Sequence, residues 1–161
     1  MKDKFIHAFM DVAERFSKLS SAKRLQVGAI IVKDDRIISI GYNGMPSGWD
    51  NNCEATIFVT KNEVQGYDMV AQGYTETEKG NWTRLKTRPE VLHAEMNSLM
   101  KLAKSNESGE GATMFITHSP CIDCAKGIYQ AGIKEVYYKN DYRSSQGIDF
   151  LKKSNVEVYK V

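Results

Sequence analysis

The spacing of apolar positions changes several times along the chain, and each change marks an element. From Phe5 to Leu19, the residues Ile6, Phe9, Ala13 and Phe16 recur at steps of three and four while Asp11, Glu14 and Lys18 occupy other faces. That periodicity predicts an amphipathic helix packed on a sheet. Val27 to Val32 is a nearly continuous apolar run, the pattern of a strand buried on both faces, and Ile37 to Ile40 resembles it after the turn Lys33-Asp34-Asp35-Arg36. A hairpin is expected there. Gly41 to Gly48 is dense in Gly, Asn and Pro and reads as a shaped loop. From Trp49 to Arg88 the pattern is mixed and polar, interrupted by Gly66, Gly73 and Gly80, and assigns no element.

Order returns at Val91. Leu92, Met96, Leu99, Met100 and Ala103 predict a helix to Lys104, which Asn106 to Gly111 breaks. Met114 to Ile116 reads as a strand, Cys121 to Gln130 as a helix closed near Gly132, and Lys134 to Tyr138 as a further strand. A helix around Ile148 to Lys153 and a strand from Val156 to Tyr159 complete the chain. The alternation predicts an α/β architecture whose last strands are mostly parallel. No repeat or low-complexity tract is visible, and one domain over 1–161 is expected.

Composition narrows the function. The 161 residues carry 22 Lys and Arg against 20 Asp and Glu, a formal net charge of +2, which lacks the electrostatic footprint of a dedicated nucleic-acid binder. The polar start Met1-Lys2-Asp3-Lys4 precedes no long apolar run, so no signal peptide or membrane span is expected and the cytoplasm is the default location. Three cysteines are too few for a disulfide scaffold, and two of them, Cys121 and Cys124, have a spacing that suggests metal or redox chemistry.

The chemistry concentrates in two clusters. His93-Ala94-Glu95 opens one helix, and Pro120-Cys121-Ile122-Asp123-Cys124 opens the next. Together they match H-x-E followed by P-C-x-x-C, the arrangement of zinc-dependent nucleobase deaminases. One imidazole and two thiolates give Zn2+ three ligands and leave a fourth position for water, which suits catalysis better than a closed structural site. Ser119 is read as a helix N-cap and Pro120 as the first helical residue, with the helix N-terminus favouring thiolates. Glu95 lies off the face of His93 and reads as the proton carrier, taking a proton from water and delivering it to ring N3 as hydroxide adds at C4.

Other readings compete. A C-x-x-C pair alone is more often a structural zinc or redox feature, but a closed site needs a fourth ligand, and only His7, His118 and Cys53 are spare. Thioredoxin-type chemistry gives no role to His93 and Glu95. His118, three residues before Cys121, is an alternative ligand to His93 and otherwise lines the pocket rim. His7 is expected to face solvent and Cys53 to be a plain free thiol. A catalytically silent nucleotide-binding module is the non-enzymatic alternative.

Lys23 to Ala29, the block Gly41-Tyr42-Asn43-Gly44-Met45-Pro46-Ser47-Gly48, His93-Ala94-Glu95-Met96-Asn97, Ser119 to Ala125 and Gln130 to Lys134 resemble the deoxycytidylate (dCMP) deaminase family over nearly the whole chain. The resemblance implies a cytidine-deaminase-like three-layer α/β/α fold with a central five-stranded mixed sheet, and conversion of dCMP to dUMP. It implies zinc on His93, Cys121 and Cys124, with Glu95 catalytic. Asn43 is then expected at the sugar, Arg24 and Tyr142 near the 5′-phosphate, and Ala94, Ser119 and Pro120 in the substrate site. A homo-oligomer, usually a hexamer, activated by dCTP and inhibited by dTTP is also implied. The effector region is expected at Tyr42, Asn43, Gly44, Met45 and Gly48, with Mg2+ accompanying a triphosphate. Nucleic acid and membrane are not expected partners. Deamination of another cytosine or adenine substrate is the alternative. Some phage members bind a second, structural zinc; Ser20 to Lys23 and Lys86 to Pro89 lack its ligands, so one zinc per subunit is expected.

Overall fold

The protein is described here by a computed structural model covering residues 1–64 and 68–161, so Gly66 lies outside the described residues. In chain order the elements are α1 (Asp3–Ser17), β1 (Gly28–Lys33), β2 (Arg36–Tyr42), β3 (Glu54–Val59), a 3-10 turn (Lys61–Glu63), β4 (Thr75–Glu76) and β5 (Trp82–Thr87). They continue as α2 (Ala94–Leu102), β6 (Thr113–His118), α3 (Ile122–Gln130), β7 (Glu135–Asn140), α4 (Gln146–Lys153) and β8 (Glu157–Lys160).

Five strands form a mixed sheet in the order β2-β1-β6-β7-β8. β1 pairs antiparallel with β2 and β6, whereas β6-β7 and β7-β8 are parallel, as the strand-helix alternation of the C-terminal half predicts. The continuous apolar run of β1 serves both faces. Ile30 and Val32 meet Phe115, Tyr137 and the α1 residues Met10 and Ala13 on one side. Ala29 and Ile31 meet Ala94 and Leu99 of α2, Ile128 of α3 and Leu151 of α4 on the other. Helices therefore cover both faces, giving the three-layer arrangement. Phe115 stands at the centre, fully buried between Phe9 (centroids 5.5 Å apart) and Tyr137 (5.0 Å); removing such a ring costs about 3–5 kcal/mol.

Local chemistry sets the boundaries. Asp34 (φ 49°) and Asp35 (φ 57°) form the two-residue turn between β1 and β2, the left-handed pair that matches strand twist. The expected loop from Gly41 starts later, because Gly41 and Tyr42 pair with Ala29 and Gly28 as the end of β2. Gly41 is required there: a Cβ would lie 2.2 Å from the Ala94 carbonyl oxygen and 2.6 Å from the Ser98 nitrogen. Only a bare backbone lets the first turn of α2 sit on β2.

The unassigned stretch contains a second, three-stranded antiparallel sheet, β3-β5-β4. Its faces are largely exposed, Phe58 and Leu85 included. Cys53, just before it, is buried with Ala22, Val91 and Met45, a setting of apolar neighbours that burial makes unfavourable for the thiolate.

Candidate active site

Two helix N-termini meet at the carboxyl end of β6. His93 is the N-cap residue of α2, and its backbone is set by Leu92, whose N–H and C=O bond the C=O and N–H of Gly44 at 2.9 and 3.1 Å. Asn97 Nδ2 adds a bond to the Tyr42 carbonyl at 2.9 Å. The Gly44 loop and the start of α2 are thus one hydrogen-bonded unit.

Cys121 is the N-cap residue of α3, which begins at Ile122. The expected Ser119 cap and helical Pro120 are therefore corrected by two residues. The reason is that the Ser119 Oγ is engaged elsewhere, accepting the Tyr142 backbone N–H at 2.8 Å. Pro120 is fully buried, with its carbonyl against Gly147 of α4, and is not among the residues lining the cavity.

His93 Nδ1 lies 3.6 Å from Cys121 Sγ and 3.4 Å from Cys124 Sγ. A tetrahedral zinc with Zn–S near 2.3 Å and Zn–N near 2.0–2.1 Å would space its nitrogen and sulfur ligands about 3.6 Å apart. The donor atoms of these three residues, all within 4.8 Å of one another, fit that ion. His118 is not in this group. Its Nδ1 is 3.2 Å from Thr117 Oγ1, and burial holds its imidazole below the ordinary range. His93, not His118, stands with the cysteines.

The electrostatics suit metal capture. A hydrogen bond from Cys124, with a second from His93, lowers Cys121 to about 4, so this sulfur is a thiolate. The same contacts push Cys124 up and raise His93; the protons they hold leave when a metal takes their place. Glu95, in the first turn of α2, is 5% exposed, and burial pushes it up to about 7 against the opposing pull of His93. A carboxyl so placed exchanges protons near neutrality.

His93, Glu95 and Cys121 line a cavity of about 390 Å³, a size suited to a small-molecule ligand. His93, Ala94, Glu95 and Cys121 line it together with Arg24, Asn43, Ser119 and Tyr142, all expected from the sequence. Arg24 is aimed by a bond from its Nη1 to Thr87 Oγ1 at 2.9 Å. Asn43 is nearly buried, with Oδ1 accepting Val27 N–H and Nδ2 donating to the Leu25 carbonyl, both at 2.8 Å. The remaining expected effector residues, Tyr42, Gly44, Met45 and Gly48, are not part of this lining. Glu54, Thr87, Asp141 and Arg143 do line it and escaped sequence reasoning. Asp141 is paired with Lys160, and the lining carries two arginines, Arg24 and Arg143.

The family model described as the cytidine and deoxycytidylate deaminase zinc-binding region matches residues 3–140. The chain belongs to this deaminase family. Its members are zinc-dependent hydrolases, and this chain is an enzyme of that class. The deoxycytidylate deaminase of Enterobacteria phage T4 is 34% identical over 94% of this chain and 87% of its own length. The Homo sapiens deoxycytidylate deaminase is 35% identical over 83% of this chain and 63% of its own length. Among solved structures, the dCMP deaminase of cyanophage S-TIM5, in complex with dCMP and dUMP, has a TM-score of 0.79. It is 45% identical, covering 100% of this chain and 99% of that one. More distant structures, such as tRNA:A34 deaminases at 19% identity and a TM-score of 0.54, share the fold.

Proposed function

We propose that this deaminase hydrolyses dCMP to dUMP and ammonia, supplying dUMP for thymidylate synthesis. The observation that carries the reading is one cavity whose lining joins the His93, Cys121 and Cys124 donor set and the buried Glu95 with Arg24 and Arg143. A mononucleotide matches this lining: the donor set and Glu95 suit the chemistry of its amino group, and two guanidinium groups suit its single phosphate. The phage relative bound to dCMP and dUMP supports the same substrate.

His93, Cys121 and Cys124 would hold the zinc, which when bound would supply Lewis-acid activation of a water molecule. Glu95 does the proton work: it accepts a proton from water as oxygen adds at C4 and delivers it to ring N3, then takes the proton of the new C4 hydroxyl and passes it to the amine, so that ammonia leaves and the C4 carbonyl forms. Ala94, between them in sequence, lines the same cavity. Tyr142, fixed through Ser119, and Arg24, fixed through Thr87, hold the nucleotide's phosphate end.

The reading extends to control and assembly. Allosteric activation by dCTP with Mg2+ and inhibition by dTTP fit an effector at Tyr42 to Gly48, because the Gly44-Leu92 bonds join that loop to the residue before His93. A homo-oligomer, a hexamer by family resemblance, would cover the exposed Trp49, Phe58 and Leu85. Among the described residues no helix is long and apolar enough to cross a membrane, which accords with work in the cytoplasm, that of the host for a viral chain. The test is a side-by-side assay of dCMP, deoxycytidine, cytidine and a cytosine-containing oligonucleotide, each with and without dCTP and dTTP. Turnover of dCMP well above the others, raised by dCTP and lowered by dTTP, is expected. Preference for an unphosphorylated nucleoside or an oligonucleotide overturns the substrate assignment.

A further inference from the structure

A second cavity, of about 580 Å³, shares Arg24 and Arg143 with the first. Its chemistry is different. Arg84 and Lys86 also line it, so four of its eight lining residues are cationic, and none is acidic or aromatic. The carboxylates Glu54, Glu95 and Asp141 line the first cavity only. Among the described residues, none of the four cations takes part in an ion pair. The chain as a whole has 20 Asp and Glu to set against 22 Lys and Arg, so this excess of one sign is local. Like charges gathered without a counter-charge repel one another, and their summed field draws an anion.

The cations are also held in place. Arg84 and Lys86 stand two residues apart on β5, hence on one face of the strand. Arg84 Nη1 donates to the Gln72 carbonyl at 3.2 Å, and the guanidinium carbon lies 4.6 Å from the centroid of the Tyr74 ring. Arg24 is tied to Thr87, the residue after Lys86, through the bond already described. Side chains fixed in this way lose little freedom when they bind a phosphate.

The shared arginines decide which anion this is. The reading of the first cavity puts the 5′-phosphate of dCMP at Arg24 and Arg143, so a longer phosphate chain starts at the two residues that also line the second cavity. A nucleic-acid strand would need a place for a neighbouring base, and this lining offers no aromatic face on which to stack one. Tyr42, Gly44, Met45 and Gly48 line neither cavity, so the place is distinct from the effector loop. We infer that the second cavity receives the β- and γ-phosphates of deoxycytidine 5′-di- and triphosphates, so that the enzyme deaminates dCDP and dCTP as well as dCMP; the inference rests on the reading of the first cavity as a dCMP deaminase site. The bonds made and broken are the same: water adds at C4, the C4–N bond breaks, ammonia leaves, and dCTP becomes dUTP with its phosphates intact.

The test gives zinc-loaded protein dCMP, dCDP or dCTP as the only nucleotide and separates the products by anion-exchange chromatography. Wild type is expected to form dUTP at a kcat/KM within roughly ten-fold of that for dCMP, no worse than the loss of one charged contact. A larger shortfall overturns the proposal. Lys86→Ala and Arg84→Gln should each lower kcat/KM for dCTP by roughly ten-fold and hardly alter that for dCMP, whose single phosphate ends at Arg24 and Arg143; Lys86→Arg should restore the loss. Variants that change both substrates by the same factor, or neither, overturn the assignment of the cavity. Lys86 is exposed, so its variants decide should Arg84→Gln not fold. Turnover of the dinucleotide dTpdC above that of dCTP, lost in Lys86→Ala, would give the cavity to a strand and overturn the proposal as well. Failure of the dCMP reading has a different signature, absence of turnover of dCMP itself, and takes this assignment with it.

Discussion

The Oγ of Ser119 accepts the backbone N–H of Tyr142 at 2.8 Å, tying the end of the central strand to the segment after β7. Both residues line the cavity, and Ser119 is only 4% exposed. Ser119→Ala leaves the Tyr142 N–H without its partner, at about 1–3 kcal/mol for a buried group. The expected outcome is a lower thermal midpoint and a several-fold higher KM for dCMP with a smaller change in kcat, measured by calorimetry and steady-state kinetics. Unchanged KM would dissociate the Ser119-Tyr142 contact from substrate binding.

Glu95 is buried beside the donor set but is not part of it. Glu95→Ala is therefore expected to retain zinc by elemental analysis while losing roughly 10²–10⁴-fold or more in kcat, the range for a general acid-base group. A variant with near-normal turnover would remove Glu95 from the proton path.

Metal-replete protein is expected to hold about one zinc per chain, matching the three-donor geometry. Cys124→Ser should lose most of that zinc, whereas Cys53→Ala should keep it, since Cys53 packs among Ala22, Val91 and Met45. Plasma emission spectrometry reads both; close to two zinc atoms per wild-type chain would refute the stoichiometry.

Gly147 lets α4 touch the metal-bearing segment. A Cβ there would fall 2.0 Å from the Pro120 carbonyl oxygen and 2.9 Å from the Cys121 carbonyl. Gly147→Ala forces a shift costing about 1–3 kcal/mol and moves Cys121. Faster zinc loss to a chelator, followed with a chromogenic dye, is the expected result; an unaltered rate would mean that the clash relaxes into α4 alone.

Much of the centre was readable because its signals are local. The run Val27 to Val32 has the pattern of a doubly buried strand, and β1 spans Gly28–Lys33; His93, Glu95, Cys121 and Cys124 stand on helix starts whose periodicity is plain. The cap on α3 departs from the local rule, which a serine before a proline fits, because a long-range bond to Tyr142 claims the Ser119 oxygen. Trp49 to Arg88 was opaque because β3, β4 and β5 are short and largely exposed, so no face repeats an apolar code. Glu54 hid there for the same reason: a glutamate in a polar stretch looks solvated. Its one local signal is its place directly after Cys53, at the head of the run Ala55 to Val59, where a strand begins. Burial of its side chain is decided by Lys23 and Arg24, 30 residues or more away in sequence.

The sheet order has a consequence for how the centre comes into being. Cys121 and Cys124 ride on a local β6-α3-β7 unit with parallel pairing, while His93 arrives on α2, which rests on the hairpin β1-β2. The ladder that joins the halves, Ala29 to Val32 with Thr113 to Ile116, links segments far apart in sequence and closes slowly relative to local structure. Two donors can therefore assemble early, but the third is delivered only when the halves dock. The rate at which refolding protein captures metal is then a clock for that docking step.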